Sequence, residues 1–489
     1  MGIEITRTEF AEGDYEAFAN RLEDNLARLR ECLADPGFGA GPASLGAELE
    51  MYIIDADGRP LFRNQEILDE AADPQLTLEL NRYNLEYNLS PYLCSDSPFS
   101  RTEREIDARL AALRGIAAGY GGRIVPIGIL PTLRQSDFGA HCITDKRRYH
   151  ALVGQCIARR GSHFRIDING EDPLRLEMAD ITLEGANTSF QVHYRVQPAD
   201  YADTFNAIQL ATPLAMAIGA NSPTLFGHSL WHETRVPLFK QSIDTRRIDR
   251  YGWNEPARVS CGNGWVRRSA FELFEESVRL YSPYLPIVDS RPEAADAAPA
   301  LAELRLHQST VWLWNRPVYD DADGGMLRIE MRALPAGPTP VDMVANAAFL
   351  LGLAEGLRGD IDRLLPALPF KYADYNFYRA AQFGLDAELV WPSLRQQLCQ
   401  RRPVTELIAE ALPVAAQGLA NIGVDSAEAD RYLSVIERRL AARTSGAIWQ
   451  RGRLDSLKEE MPLGRALHAL LEMYHDNSLG AEPVAEWPR

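Results

Sequence analysis

The stretch GAELEMYIID, Gly46 to Asp55, sets two glutamates two residues apart inside an otherwise apolar run. In an extended chain side chains alternate between faces, so Glu48, Glu50 and Tyr52 share one side while Ala47, Leu49 and Met51 take the other. On its own such a strand could simply turn its polar side to solvent. Three further runs carry the same pattern. In YNLEYNLSP, Leu85, Tyr87 and Leu89 oppose Asn84, Glu86 and Asn88. In TSFQVHYRV, Phe190, Val192, Tyr194 and Val196 oppose Ser189, Gln191, His193 and Arg195. In MLRIEMRAL, Leu327, Ile329, Met331 and Ala333 oppose Arg328, Glu330 and Arg332. A solvated sheet would carry Lys, Thr and Ser on its polar side. Here the polar faces carry Glu, His, Gln, Asn and Arg, which bind metals and phosphates. The pattern predicts an antiparallel sheet with one core face and one concave face that forms a trough.

Magnesium and manganese prefer hard oxygen ligands and are commonly shared between a few carboxylates and substrate phosphates, so carboxylates from separate strands can converge on them. Arginines add forked, permanently charged donors that fit phosphate or carboxylate and offset the acidity of such a trough. No GxxxxGK[ST] loop, GxGxxG, HExxH or GxSxG segment occurs, so a nucleotide used by this chain is expected on the sheet itself.

The 489 residues are 46% apolar and 24% charged, the balance of an ordinary folded protein. A net charge of −17 argues against a general nucleic-acid or anionic-membrane binder, so an anionic substrate must meet local arginines. Cys32, Cys94, Cys142, Cys156, Cys261 and Cys399 are scattered without a CxxC pair and read as free thiols in a reducing compartment. MGIEITRTEF has no apolar signal core, and apolar runs such as Leu210 to Ala220 are short for a bilayer, so a cytoplasmic location is expected.

Strand-like runs and helices alternate to about residue 335, and the chain beyond Pro340 reads as helical. We therefore expect an α+β chain: residues 1–340 as a mixed catalytic core, and 341–489 as helices packed on it rather than an independent domain. Residues 283–300 read as a surface loop, and Asn315 to Gly325 as a turn between strands. Trp312 and Trp314, two apart, share a face and read as core. Homo-oligomerisation is left open.

GAELEMYIID, NLEYNLSP, FQVHYRV, ANSPTLFGHSLWHETR and LRIEMRALP, in this order, together with YRAAQFGLDAEL and RTSGAIWQRG, resemble the glutamate–cysteine ligase family of the second type, the bacterial carboxylate–amine ligases. The resemblance covers roughly residues 40 to 455. It implies a glutamine-synthetase-like fold, a curved antiparallel half barrel lined by carboxylates, with ATP and two or more magnesium or manganese ions on its concave face. It implies ATP-dependent activation of a carboxylate to an acyl phosphate and attack by an amine, most simply glutamate and cysteine. Under this resemblance Glu48, Glu50, Glu79, Glu86, His193 and Glu330 match metal ligands. Arg332 matches an arginine facing the transferred phosphoryl group, and Gln191 is a candidate nucleotide contact. Arg235 is the candidate for gripping the carboxylate substrate; no general base is assigned. The residues leave open other amine or carboxylate substrates, a phosphotransferase, or a nucleotide binder without catalysis.

Overall fold

The computed structural model describes residues 5–247, 254–289, 298–392 and 399–488. Its centre is a seven-stranded antiparallel sheet: β1 (Ser44–Ile54), β2 (Leu76–Leu78), β3 (Asn84–Leu93), β4 (Arg123–Val125), β5 (Phe190–Val196), β6 (Asn315–Asp320) and β7 (Met326–Met331). The spatial order is β6-β7-β5-β1-β3-β2, with β4 pairing the far end of β1. The long β1 is the spine. One edge pairs with β3 along most of its length, while the other pairs first with β5 and then with β4.

All four alternating runs lie in this sheet with their apolar sides buried together. Ala47, Leu49 and Met51, Leu85 and Tyr87, Val192 and Tyr194, and Leu327, Ile329 and Met331 are each under a tenth exposed. Helices cover that face, among them α1 (Pro98–Gly119), α2 (Tyr201–Gly219) and α3 (Pro340–Arg358). The Tyr194 hydroxyl donates to Glu355 of α3 at 2.9 Å, fixing helix against sheet.

The helix α3 is apolar all round because it is enclosed all round. Among the described residues it is the one helix long and apolar enough to cross a bilayer, a length the sequence reading overlooked, yet most of it is buried inside the fold. Thr339 caps it by accepting from Asp342 N at 3.2 Å, with Pro340 in its first turn. The helix α4 (Val404–Asn421) crosses it backbone to backbone. A Cβ on Gly418 would lie 1.9 Å from the Gly352 carbonyl oxygen, so only glycine permits this approach. The helix α5 (Ser426–Ala442) begins at Asp425, which accepts from Ala427 N and Glu428 N. From it, Arg439 reaches back to the start of α3, bonding Asn346 Oδ1 at 2.7 Å and the Asp342 carbonyl at 3.0 Å.

One buried apolar cluster runs through residues on both sides of residue 340, from Ile5 to Trp487. Trp312 and Trp314 both meet the edge of Phe239, at ring distances of 6.2 and 5.9 Å, which is the core packing expected. Asn315 to Gly325 is more than the turn expected: its first six residues are the edge strand β6, which tolerates Pro317 because one side lacks a partner. Part of the expected 283–300 loop, residues 290–297, lies outside the described residues. The cysteines are free, four buried and Cys32 and Cys399 half-buried.

Candidate active site

Register brings the polar side chains into rows across the concave face. Glu50 of β1 lies opposite Glu86 of β3, which lies opposite Thr77 of β2. One step along, Glu48 lies between Gln191 of β5 and Asn88 of β3. In the next row Arg316 of β6, Glu330 of β7, His193 of β5 and Gly46 of β1 follow one another. Two-residue alternation within strands and antiparallel register between them therefore gather Glu48, Glu50, Glu86, Gln191, His193 and Glu330 on one surface.

Hydrogen bonds join these rows. Ser189 N donates to Glu50 Oε2 at 2.7 Å and Gln191 Nε2 to Glu50 Oε1 at 2.8 Å. Arg332, just beyond β7, donates to Gln191 Oε1 at 2.6 Å and to Glu330. Arg316 clamps the other side of Glu330, its Nη2 at 2.7 Å from Oε2 and its Nε at 3.1 Å. Glu330 is thus a carboxylate between two guanidinium groups. Burial works to raise its pKa, but Arg316 and Arg332 outweigh this and hold it far below the usual range.

His193 differs. It is 6% exposed and neither ring nitrogen has a hydrogen-bond partner; Nε2 lies 3.1 Å from Glu48 Oε1 without the alignment of a hydrogen bond. Burial raises the Glu48 carboxyl, but the ring's attraction exceeds it and holds the group at about 2.

The carboxylates farther from the arginines repel one another. Burial, then Glu48, pushes Glu86 up to about 8. Burial, Glu86 and Glu50 push Glu79 well above the ordinary range, and the resulting preference for protons marks an excess of negative charge. Glu79 stands just past β2; its side chain accepts from Leu80 N at 3.3 Å.

Two members were missed from the sequence. Arg316 lay in a segment read as a turn, although Asn315, Pro317 and Tyr319 alternate with it as buried positions and could have revealed the strand. Glu184 sits in a short helical turn, Thr182–Ala186, ahead of β5. Burial and Glu50 raise its carboxyl to about 7 against the pull of Arg332. No periodic pattern marks such a loop residue.

Arg235 is anchored within the protein. It is 2% exposed, with Nε on Glu233 Oε1 at 2.8 Å and Nη2 on the Ala333 carbonyl at 2.6 Å. Glu233 also accepts from Asn221 N at 3.2 Å and from the Ser222 hydroxyl. The NSP segment and Arg235 are thus a buried brace on the chain just after Arg332. The Arg235 Nε and Nη2 are anchored in the protein, and its charge reaches Glu50.

Among the described residues, no three His, Cys, Asp or Glu side chains stand in ligand geometry for a metal ion. The donor set nevertheless fits a hard divalent cation. Glu48, Glu79 and Glu86 supply oxygen, His193 offers buried ring nitrogen, and the raised carboxyls mark charge that a cation would neutralise.

A family model described as glutamate-cysteine ligase family 2 matches residues 44–462. The chain belongs to that family. A Frankia casuarinae relative with the provisional name glutamate–cysteine ligase 2-1 is 31% identical over 449 residues, covering 88% of this chain and 98% of its own. A Frankia alni relative with the same provisional name is 25% identical over 447 residues, 87% of this chain and 97% of its own. A crystal structure of glutamate–cysteine ligase from Francisella tularensis in complex with AMP superposes with a TM-score of 0.51 at 12% identity, over 92% of each chain. The fold is the glutamine-synthetase-like half barrel expected from the sequence, and this family member is a carboxylate–amine ligase by class.

Proposed function

We propose that the protein is an ATP-dependent ligase that activates a carboxylate as an acyl phosphate and joins it to an amine, most simply glutamate to cysteine as γ-glutamylcysteine. The observation that carries this reading is the buried His193 among converging glutamates, its Nε2 3.1 Å from Glu48 and its Nδ1 without a partner, beside the Arg332–Glu330–Arg316 cluster. A trough holding both surplus carboxylates and paired arginines suits a metal-bound triphosphate. Family membership and the AMP complex of the Francisella structure support nucleotide use.

In this reading Glu48, Glu50, Glu79, Glu86, His193 and Glu330 would hold two or more magnesium or manganese ions. Bound ions would neutralise the phosphates and polarise the transferred group. Arg332 faces the phosphoryl group and stabilises charge building on its oxygens, with Arg316 sharing Glu330 so that Arg332 can turn toward the phosphate. Gln191 fixes Arg332 from the other side and borders the nucleotide. Arg235 acts as a positioning residue, holding the chain after Arg332 through Ala333.

The test is ADP release by the purified protein with ATP and magnesium over a matrix of carboxylates and amines, with mass spectrometry of the products. One amide per ADP establishes the ligase and names both substrates. A stable phosphorylated carboxylate with no amide would make the protein a phosphotransferase. ATP bound and never consumed across the panel would contradict catalysis.

A further inference from the structure

The two ends of the trough differ in whether their polar side chains have partners. At one end Arg195 of β5 and Arg328 of β7 lie directly opposite each other, past the His193–Glu330 row. Both are engaged by the protein, Arg328 by Asp320 Oδ2 at 3.0 Å and Arg195 by the Ala40 carbonyl at 2.9 Å. Beyond the Glu50–Glu86 row at the other end stands Asn84, opposite Tyr52 and on the same face as Glu86 by alternation. Asn84 is 2% exposed, and neither its Nδ2 nor its Oδ1 has a hydrogen-bond partner. A buried side-chain amide with nothing to bond is costly unless a ligand completes it.

Glu184 belongs to a turn that lies against Tyr52, the residue opposite Asn84. Its turn is pinned by the Tyr52 hydroxyl donating to the Ala186 carbonyl at 2.5 Å and by Asn81 Nδ2 donating to the Thr182 carbonyl at 2.9 Å. A Cβ on Gly185 would meet Asn81 Nδ2 at 2.3 Å, so the turn lies flat on Asn81 and Glu184 is held in place. The hydrogen bonds at Glu184 run through its backbone; among the described residues no donor reaches its half-buried carboxylate. The carboxylate lies within electrostatic reach of Glu50, Glu79 and Arg332. An unpartnered anion and an unpartnered amide oxygen, beside further carboxylates, suit a group with several N–H donors and a positive charge, and repel a phosphate.

We propose that Glu184 and Asn84 form the subsite for the amine substrate, which they receive as an ammonium ion. This assignment rests on the ligase reading above. Glu184 accepts one ammonium proton, and the freed nitrogen lone pair attacks the acyl-phosphate carbon. The carbon–oxygen bond to phosphate then breaks, phosphate departs with that electron pair, and the second nitrogen proton leaves on a phosphate oxygen. Asn84 Oδ1 accepts a hydrogen bond from the amine and orients it.

The experiment compares two nucleophiles on wild type, Glu184→Gln and Asn84→Ala: the amine substrate, and hydroxylamine, which is largely uncharged at neutral pH and traps the acyl phosphate as a hydroxamate. Removing a group that receives the ammonium and its proton lowers amide formation by about a hundredfold. Hydroxamate formation falls far less, so the ratio of hydroxamate to amide rises at least about tenfold in Glu184→Gln, with a smaller rise in Asn84→Ala. An unchanged ratio overturns the assignment, whether both products fall together, which would place Glu184 on the nucleotide, metal or donor-carboxylate side, or neither falls. If wild type yields neither hydroxamate nor amide with any carboxylate, the ligase reading itself fails and takes this subsite with it.

Discussion

Replacing His193 by leucine separates a ligand from a structural ion pair. The ring is 6% exposed, neither nitrogen is hydrogen-bonded, and Nε2 stands 3.1 Å from Glu48 Oε1. A buried polar group without partners costs about 1 to 3 kcal/mol, and an apolar side chain of similar bulk removes that cost. Against this stands the lost attraction to Glu48, whose buried carboxylate then takes up a proton rather than remain charged, so His193→Leu is expected to change ligand-free stability by no more than about 1 kcal/mol. Were His193 and Glu48 instead a settled buried ion pair, stranding the glutamate would cost about 3 to 5 kcal/mol. The assay is urea unfolding in chelator, alongside ADP formation with magnesium. The expected result is a near-unchanged unfolding midpoint with ADP formation reduced at least about a hundredfold. A variant destabilised by several kcal/mol that retains magnesium-dependent turnover would refute the ligand role.

Other consequences follow from the same charges. Because Glu86 is held up at about 8 against an ordinary 4.5, the folded state retains a proton that the unfolded chain releases, so ligand-free stability falls as pH rises from 4.5 to 8. Urea midpoints in chelator should therefore fall across that range, and Glu86→Gln or added magnesium reduces the fall. His307, buried and held down at about 4, gives the opposite slope: the unfolded chain takes up a proton below 6.5 that the fold refuses, so stability falls between pH 6.5 and 4. His307→Asn should flatten that acid limb in the same titration. Arg439→Ala leaves Asp342 buried without its partner and should cost about 3 to 5 kcal/mol by urea unfolding, while ADP formation per folded molecule is unchanged.

The part of the site built on strands was legible because a strand writes its two faces into alternate residues. Glu48 with Glu50, Gln191 with His193, and Glu330 with Arg332 each declared a shared face, and the antiparallel register of β1, β5 and β7 joined them. Helix α3 was legible as a helix, although an all-apolar helix carries no stripe to say what surrounds it. Pro317 and the acidic residues after it disguised β6, and Arg316 went with it. Glu184 was invisible because a residue on a short turn owes its direction to Tyr52 and Asn81, far away in the chain. Arg235 was found in its motif, but its anchors, Glu233 nearby and the Ala333 carbonyl distant in the chain, show only in the folded chain.

The proposed reaction transfers a phosphoryl group to a carboxylate in the trough. Once ADP release has identified the substrates, turnover with the carboxylate labelled in both oxygens by oxygen-18 tests it directly. An acyl phosphate passes one carboxylate oxygen to phosphate when the amine displaces it, so the account predicts one labelled oxygen in each phosphate released and one retained in the amide. Amide formed with unlabelled phosphate would contradict it.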